Sequence, residues 1–150
     1  WNKNDRRPAF VWFFGGGFVR GTPLQSAGWA RRAASLGFVG VAPDYRTVER
    51  WPDTNATATV ADARAAVRWV QDHAEELGID PTRVVVGGSS AGGHLALWTA
   101  ITATPPGLDP GEAPLHRPVA LLLTSPAADT STTSGLRADR FGKVNLDAFS

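Results

Sequence analysis

Apolar residues fall along this chain in two rhythms: short unbroken runs, and longer stretches in which they recur every three or four positions. The runs are Ala9 to Phe14, Phe38 to Ala42, Val84 to Val86 within a strand expected from Arg83 to Gly88, and Val119 to Leu123. Runs rich in β-branched and aromatic residues predict strands covered on both faces. The first stops at Gly15-Gly16-Gly17 and the second at Pro43. Between them Leu24, Trp29, Ala33 and Leu36 lie at roughly helical spacing ahead of Gly37, which fits a crossover helix. Val60, Ala63, Val67, Val70, Ala74 and Leu77 predict a long amphipathic helix ended by Gly78, and Ile79-Asp80-Pro81-Thr82 reads as a turn. A third helix is expected from Ala91 to about Thr102. The Pro- and Gly-containing stretch from Thr104 to Pro118 reads as a loop, and the polar stretch 129–150 as an irregular tail. Strands alternating with helices predict an α/β fold: a parallel sheet with right-handed crossover helices, whose ligands gather at the carboxyl ends of the strands.

Composition narrows the partners. At 150 residues the chain is the size of one domain, able to remove roughly 70% of its unfolded surface from water. Hydrophobic residues at 43% and charged residues at 19% give the balance of a soluble globular protein, with a cytoplasmic setting as the default expectation. The net charge of +1 is spread without like-charge blocks, which argues against nucleic acid and anionic membranes and for a small-molecule partner. There is no cysteine, so disulfides, thiolate metal sites and a cysteine nucleophile are excluded together. No apolar run approaches the ~20 residues of a membrane span. The opening Trp1-Asn2-Lys3-Asn4 lacks an initiator Met and meets a buried run within ten residues, the pattern of a piece of a longer protein.

Candidate chemistry centres on Gly88-Ser89-Ser90-Ala91-Gly92, a G-x-S-x-G set directly after a predicted strand and directly before a predicted helix. That context marks a nucleophile elbow. A serine on so sharp a turn is strained, and its neighbours two residues away must be small for strand and helix to close up. The glycine register selects Ser90 and leaves Ser89 a structural part. The helix N-terminus and the Ala91 amide would favour negative charge developing beside the hydroxyl. A phosphate-binding turn is the plainer reading. It fails because Gly92-Gly93-His94 lacks the Lys of a P-loop, and because Arg20 stands where a dinucleotide loop from Gly15 needs glycine. Gly15-Gly16-Gly17, at the carboxyl end of the first strand, can bring further amide donors to the same sheet edge.

With these residues in place, the chain resembles α/β-hydrolases of the hormone-sensitive-lipase-like or acetylesterase type. The resemblance rests on Phe14-Gly15-Gly16-Gly17-Phe18, Asp44-Tyr45-Arg46, Trp69-Val70, Gly78-Ile79-Asp80-Pro81 with Arg83, and Gly88 to Ala96, and runs from about Pro8 to Asp129. It implies Ser90 as catalytic nucleophile, the amides of Gly16, Gly17 and Ala91 as oxyanion hole, a small ester as substrate and no cofactor; no metal is expected, because no His, Asp and Glu cluster in the sequence shows ligand spacing. Residues 1–150 would then form a partial α/β-hydrolase domain, with 1–7 as lead-in, 129–150 as tail and no second domain. Two departures stand out. Phe14 occupies the place where the family usually has His, and the acid and base that the family carries well downstream of the nucleophile are expected beyond Ser150.

The chain's own histidines are poor bases by position. His94, one turn along the helix from Ser90, would pack on the sheet before it reached an upward-pointing hydroxyl. His73 falls at the end of the long helix and His116 in a Pro-flanked loop, both read as solvated. Asp129 could overhang the site but suits loop capping, and Arg46 is expected to clamp its loop through Glu49 or Asp62. Trp12, Trp69 and Trp98 are assigned to buried faces, and Trp29 and Trp51 to core or rim. Removing the base from a serine triad can cost about 10⁶-fold in turnover, so these residues alone are expected to be almost inactive. A peptidase on the same fold and a non-catalytic hydrolase-like binding module are the alternatives.

Overall fold

The computed structural model describes residues 2–101 and 114–128. Four strands, β1 (Arg7–Phe13), β2 (Val39–Val41), β3 (Ile79–Ser89) and β4 (Ala120–Thr124), form one sheet in the order β2-β1-β3-β4. All three neighbouring pairs are parallel. The helices are α1 (Ala27–Ser35), α2 (Ala56–Asp72), α3 (Ala74–Leu77) and α4 (Ala91–Ala100). The α/β fold with a parallel sheet is as the alternation of runs and periods implied.

The strands sort their side chains by parity, as a period of two requires. Ala9, Val11 and Phe13 of β1, with Val84 and Val86 of β3, enter one core with Val60, Ala63, Val67 and Val70 of α2 and Leu95 and Ala96 of α4. Phe10 and Trp12 point to the other face, where α1 supplies Ala33 and Phe38 and Val85 pack alongside. Trp12 stacks on Trp29 of α1 with ring centroids 4.2 Å apart. A Cβ on Gly40 would collide with the backbone of Ala30, so glycine is what lets β2 and α1 touch.

The long amphipathic helix starts where Asn55 caps α2, its side chain accepting from the Ala58 amide at 2.8 Å. It breaks at His73, and α3 ends at Gly78, which takes the left-handed conformation at φ 66°. Four expectations need correction. Ile79 to Thr82 is the start of β3, its turn chemistry surviving as Thr82 donating to the Asp80 carboxylate, beside a shift in register against β1. The strand at 38–42 shortens to Val39–Val41 and, at the edge of the sheet among the described residues, is only half-buried. Around α1, Leu24 and Leu36 face solvent and the first turn is a 3₁₀ turn at Pro23–Ser26. Trp69 is 51% exposed, because it lies one residue, a 100° rotation, away from the buried Val70 stripe. The tail 129–150, with Asp129, lies outside the described residues.

Candidate active site

Ser90 joins β3 to α4 with its backbone at φ 51°, ψ −118°. A non-glycine residue held there costs of order 1–3 kcal/mol, so the surroundings must enforce it. They do so with backbone against backbone. A Cβ on Gly88 would run into Gly92 and Gly93, and one on Gly92 into the carbonyls of Phe13 and Phe14. Three hydrogen bonds then pin the residue: its N–H donates to the Thr124 carbonyl (3.0 Å), and its carbonyl accepts from the amides of His94 (3.1 Å) and Ala127 (3.2 Å). Gly87, Gly88, Ala91 and Gly92 are buried, while Ser90 itself is exposed.

The glycine segment comes to the same place. A Cβ on Gly15 would lie 3.0 Å from the Ser89 carbonyl oxygen and 3.4 Å from the Ser90 Cβ, so this residue rests on the elbow. Gly16 and Gly17 take φ 138° and 62°, which lets the chain curl until the Gly16 carbonyl accepts from the amides of Val19 and Arg20. Neither the Gly16 nor the Gly17 amide donates to an acceptor among the described residues. The Ala91 amide belongs to the first turn of α4, whose N–H groups have no partner within the helix. Unpaired amides and a helix N-terminus beside an exposed hydroxyl suit an oxyanion.

Phe14, standing at the family's histidine position, is buried and stacks on Tyr45 with centroids 4.2 Å apart. The Tyr45 hydroxyl donates to the Phe14 carbonyl at 2.9 Å, and burial pushes its pKa well above the ordinary tyrosine range, so it stays a donor. The same loop holds the glycine segment twice more, through Val48 N–H to the Phe18 carbonyl (3.1 Å) and Glu49 N–H to the Val19 carbonyl (2.8 Å). Arg46 clamps this loop to α2 through a fork on Asp62, with Nε to Oδ2 at 2.8 Å and Nη2 to Oδ1 at 2.7 Å. Asp62 is thus the partner, and Arg50 pairs with Asp44 instead.

The three histidines stand apart from the Ser90 hydroxyl's needs. His73 caps α2 with Nδ1 2.8 Å from the Trp69 carbonyl oxygen, and its ring stacks on Trp69. Both it and His116 precede the strands that follow them, β3 and β4, and so sit at the amino edge of a parallel sheet whose carboxyl edge carries Ser90. His94 is buried, with Nδ1 2.6 Å from the Ala127 carbonyl oxygen and Nε2 accepting from Trp98 Nε1–H at 2.7 Å. Burial lowers its pKa, partly opposed by the Ala127 bond. Among the described residues no cluster of His, Asp and Glu has the makings of a metal centre. Sequence reasoning missed the segment from Thr124 to Ala127 as a wall of this site, and gave Tyr45 no role beyond resemblance. Ser125-Pro126 at the carboxyl end of a strand was the available signal.

A family model described as the alpha/beta hydrolase fold matches residues 10–146. The chain belongs to the alpha/beta hydrolase fold family. Within it, the chain is 39% identical over 90 residues to the esterase LipI of Mycobacterium tuberculosis, covering 59% of this chain and 27% of that one. It is 38% identical over 94 residues to the carboxylesterase NlhH of the same organism, covering 61% and 28%. Esterase 2 of Thermogutta terrifontis, solved phosphoramylated by tabun, superposes with a TM-score of 0.81 at 38% identity, covering all of this chain and 56% of that one. The same hydrolase with propionate bound gives a TM-score of 0.79 at 37% identity, covering 100% and 57%. The chain therefore spans about a quarter of these curated relatives and just over half of the solved hydrolases. The resemblance to esterases read from Phe14–Phe18 and Gly88–Ala96 is borne out. No helix among the described residues is long and apolar enough to cross a membrane.

Proposed function

We propose that this chain is the nucleophile-bearing part of a serine carboxylic-ester hydrolase acting on small acyl esters. Ser90 is the nucleophile, and its Oγ attacks the acyl carbonyl. The oxyanion that forms rests on the amides of Gly16, Gly17 and Ala91, the alcohol leaves, and water releases the acyl group in a second step. The observation that carries this reading is the exposed Ser90 at φ 51°, with Gly15 laid against it. Relatives named as esterases and a solved neighbour phosphoramylated by an organophosphorus agent support it. No cofactor enters either step. His73 and His94 hold partners of their own and His116 lies ahead of β4, so this reading takes the base, together with its orienting acid, from outside these 150 residues, which make up part of one hydrolase domain.

The test compares hydrolysis of 4-nitrophenyl acetate and butyrate by the protein as its gene encodes it in full, by residues 1–150, and by Ser90→Ala. The full protein is expected to turn over, the substitution to cost at least about 10⁴-fold in kcat, and the 150-residue piece to retain little. Equal turnover by parent and Ser90→Ala contradicts the reading.

A further inference from the structure

The three segments that frame Ser90 meet at one side chain. His94 lies on α4, one turn after Ser90, and donates its own N–H to the Ser90 carbonyl at 3.1 Å. Its Nδ1 reaches the Ala127 carbonyl in the segment after β4 at 2.6 Å. Ala127 in turn donates its N–H to the Ser90 carbonyl at 3.2 Å, so Ser90, His94 and Ala127 form a closed circuit. The imidazole meets the ring of Phe18, directly after Gly17, in a T-shaped contact with centroids 5.7 Å apart and planes at 83°.

Two of these partners fix the proton. A backbone carbonyl only accepts, so Nδ1 carries the hydrogen; an indole N–H only donates, so Nε2 of His94 offers its lone pair to Trp98. The ring is therefore neutral and in the Nδ1–H form, and both nitrogens are occupied. His94 is thereby no proton acceptor for Ser90. It can still decide where the Ser90 hydroxyl and the glycine amides stand relative to each other.

We infer that His94 is a positioning residue for the acyl-transfer geometry: its Nδ1–H imidazole locks the segment after β4 to the elbow, and its ring braces the glycine segment at Phe18. This role rests on the reading of Ser90 as nucleophile. Its consequence is specific. Loss of the imidazole leaves substrate free to bind but misplaces donors and nucleophile in the transition state, so kcat falls and KM changes little. Asparagine keeps an N–H near the place of Nδ1 and can still reach Ala127; phenylalanine keeps the ring and loses both hydrogen bonds.

The experiment uses the protein as its gene encodes it in full, with 4-nitrophenyl butyrate as the probe. His94→Phe is expected to lower kcat by about 10- to 100-fold with KM within about threefold, and His94→Asn to stay within about fivefold of the parent in kcat. Circular dichroism and melting temperature confirm that each variant is folded. A folded His94→Phe with the parent's kcat overturns the role. If the phenylalanine variant does not fold, His94→Gln, whose amide reaches the place of Nε2 and not that of Nδ1, replaces it: a kcat at least about fivefold below that of His94→Asn supports the role, and any smaller difference overturns it. Long-range ¹H–¹⁵N correlation on the parent reads the tautomer without reference to activity, with the His94 signals assigned by their loss in His94→Asn. Protonation on Nδ1 alone at neutral pH is expected, and an Nε2–H or doubly protonated ring overturns the assignment. A parent without Ser90-dependent hydrolysis overturns the nucleophile reading and the positioning role with it, whereas the tautomer stands or falls on its own spectrum.

Discussion

The two faces of the sheet are built from alternate residues of the same strands, yet they end in different physical states. On the face covered by α2 and α4, Ala9, Val11, Phe13, Val67, Val70, Leu95 and Ala96 have no exposed surface. On the face covered by α1, Trp29 is 42% exposed, Leu36 61% and Leu122 45%. A cavity of about 350 Å³ opens there between Phe10, Trp29, Phe38, Val85 and Leu122. The dense face is the one that carries the elbow. Fully burying Leu95 contributes about 1.5–3 kcal/mol before the cost of ordering it, on the scale of the strain held at Ser90.

The largest test of this contrast is a pair of truncations. Leu95→Ala is expected to destabilise by about 2–5 kcal/mol, whereas Leu122→Ala, half in water already, should cost under about 1 kcal/mol. Urea midpoints compare them, and equal costs would erase the distinction between the faces. Next, Gly88→Ala drives a methyl group into the Gly92 backbone and should cost about 1–3 kcal/mol, with loss of activity appearing at temperatures where the fold is still intact.

A smaller effect concerns pH. Burial holds the His94 pKa below its usual value, so an unfolded chain, titrating near ~6.5, takes up this proton before the folded one does. More protons bound in the unfolded state means stability that rises with pH. The His94 contribution is therefore complete above about pH 6.5, declines as pH falls through that value, and is lost in full below the lowered folded pKa. Urea midpoints across pH 7.5 to 5 should fall more steeply for the parent than for His94→Asn; parallel lines would contradict the buried neutral ring. Smallest of all, Gly28→Ala on exposed α1, where a Cβ meets nothing within 4 Å, should stabilise by roughly 0.5 kcal/mol and raise the melting temperature slightly. A loss there would show that the open face is tighter than it looks.

The same contrast explains what the sequence made legible. The α2 stripe from Val60 to Ala74 was readable because it is amphipathic, and amphipathicity records which side meets the core. Helix α4, apolar nearly all round, has no such stripe and was recognised by Gly88 to Gly92 instead. Periodicity misled at α1, where Leu24 and Leu36 keep a helical rhythm but no described element covers them. Periodicity locates a face and says nothing about its cover. Likewise the elbow was visible as a local motif, while its anchors were not. Tyr45 on the Phe14 carbonyl and Ala127 on Ser90 join residues 31 and 37 positions apart, contacts that only the folded sheet creates.

The central claim is that the strained hydroxyl at position 90 takes up the acyl group. Acid-quenching the full-length protein during turnover of 4-nitrophenyl acetate, followed by digestion and mass spectrometry, tests this most directly. The account predicts an acetyl group on Ser90 in the parent and none on that peptide in Ser90→Ala; acetyl found on Ser89, or a peptide that stays unmodified while product accumulates, would contradict it.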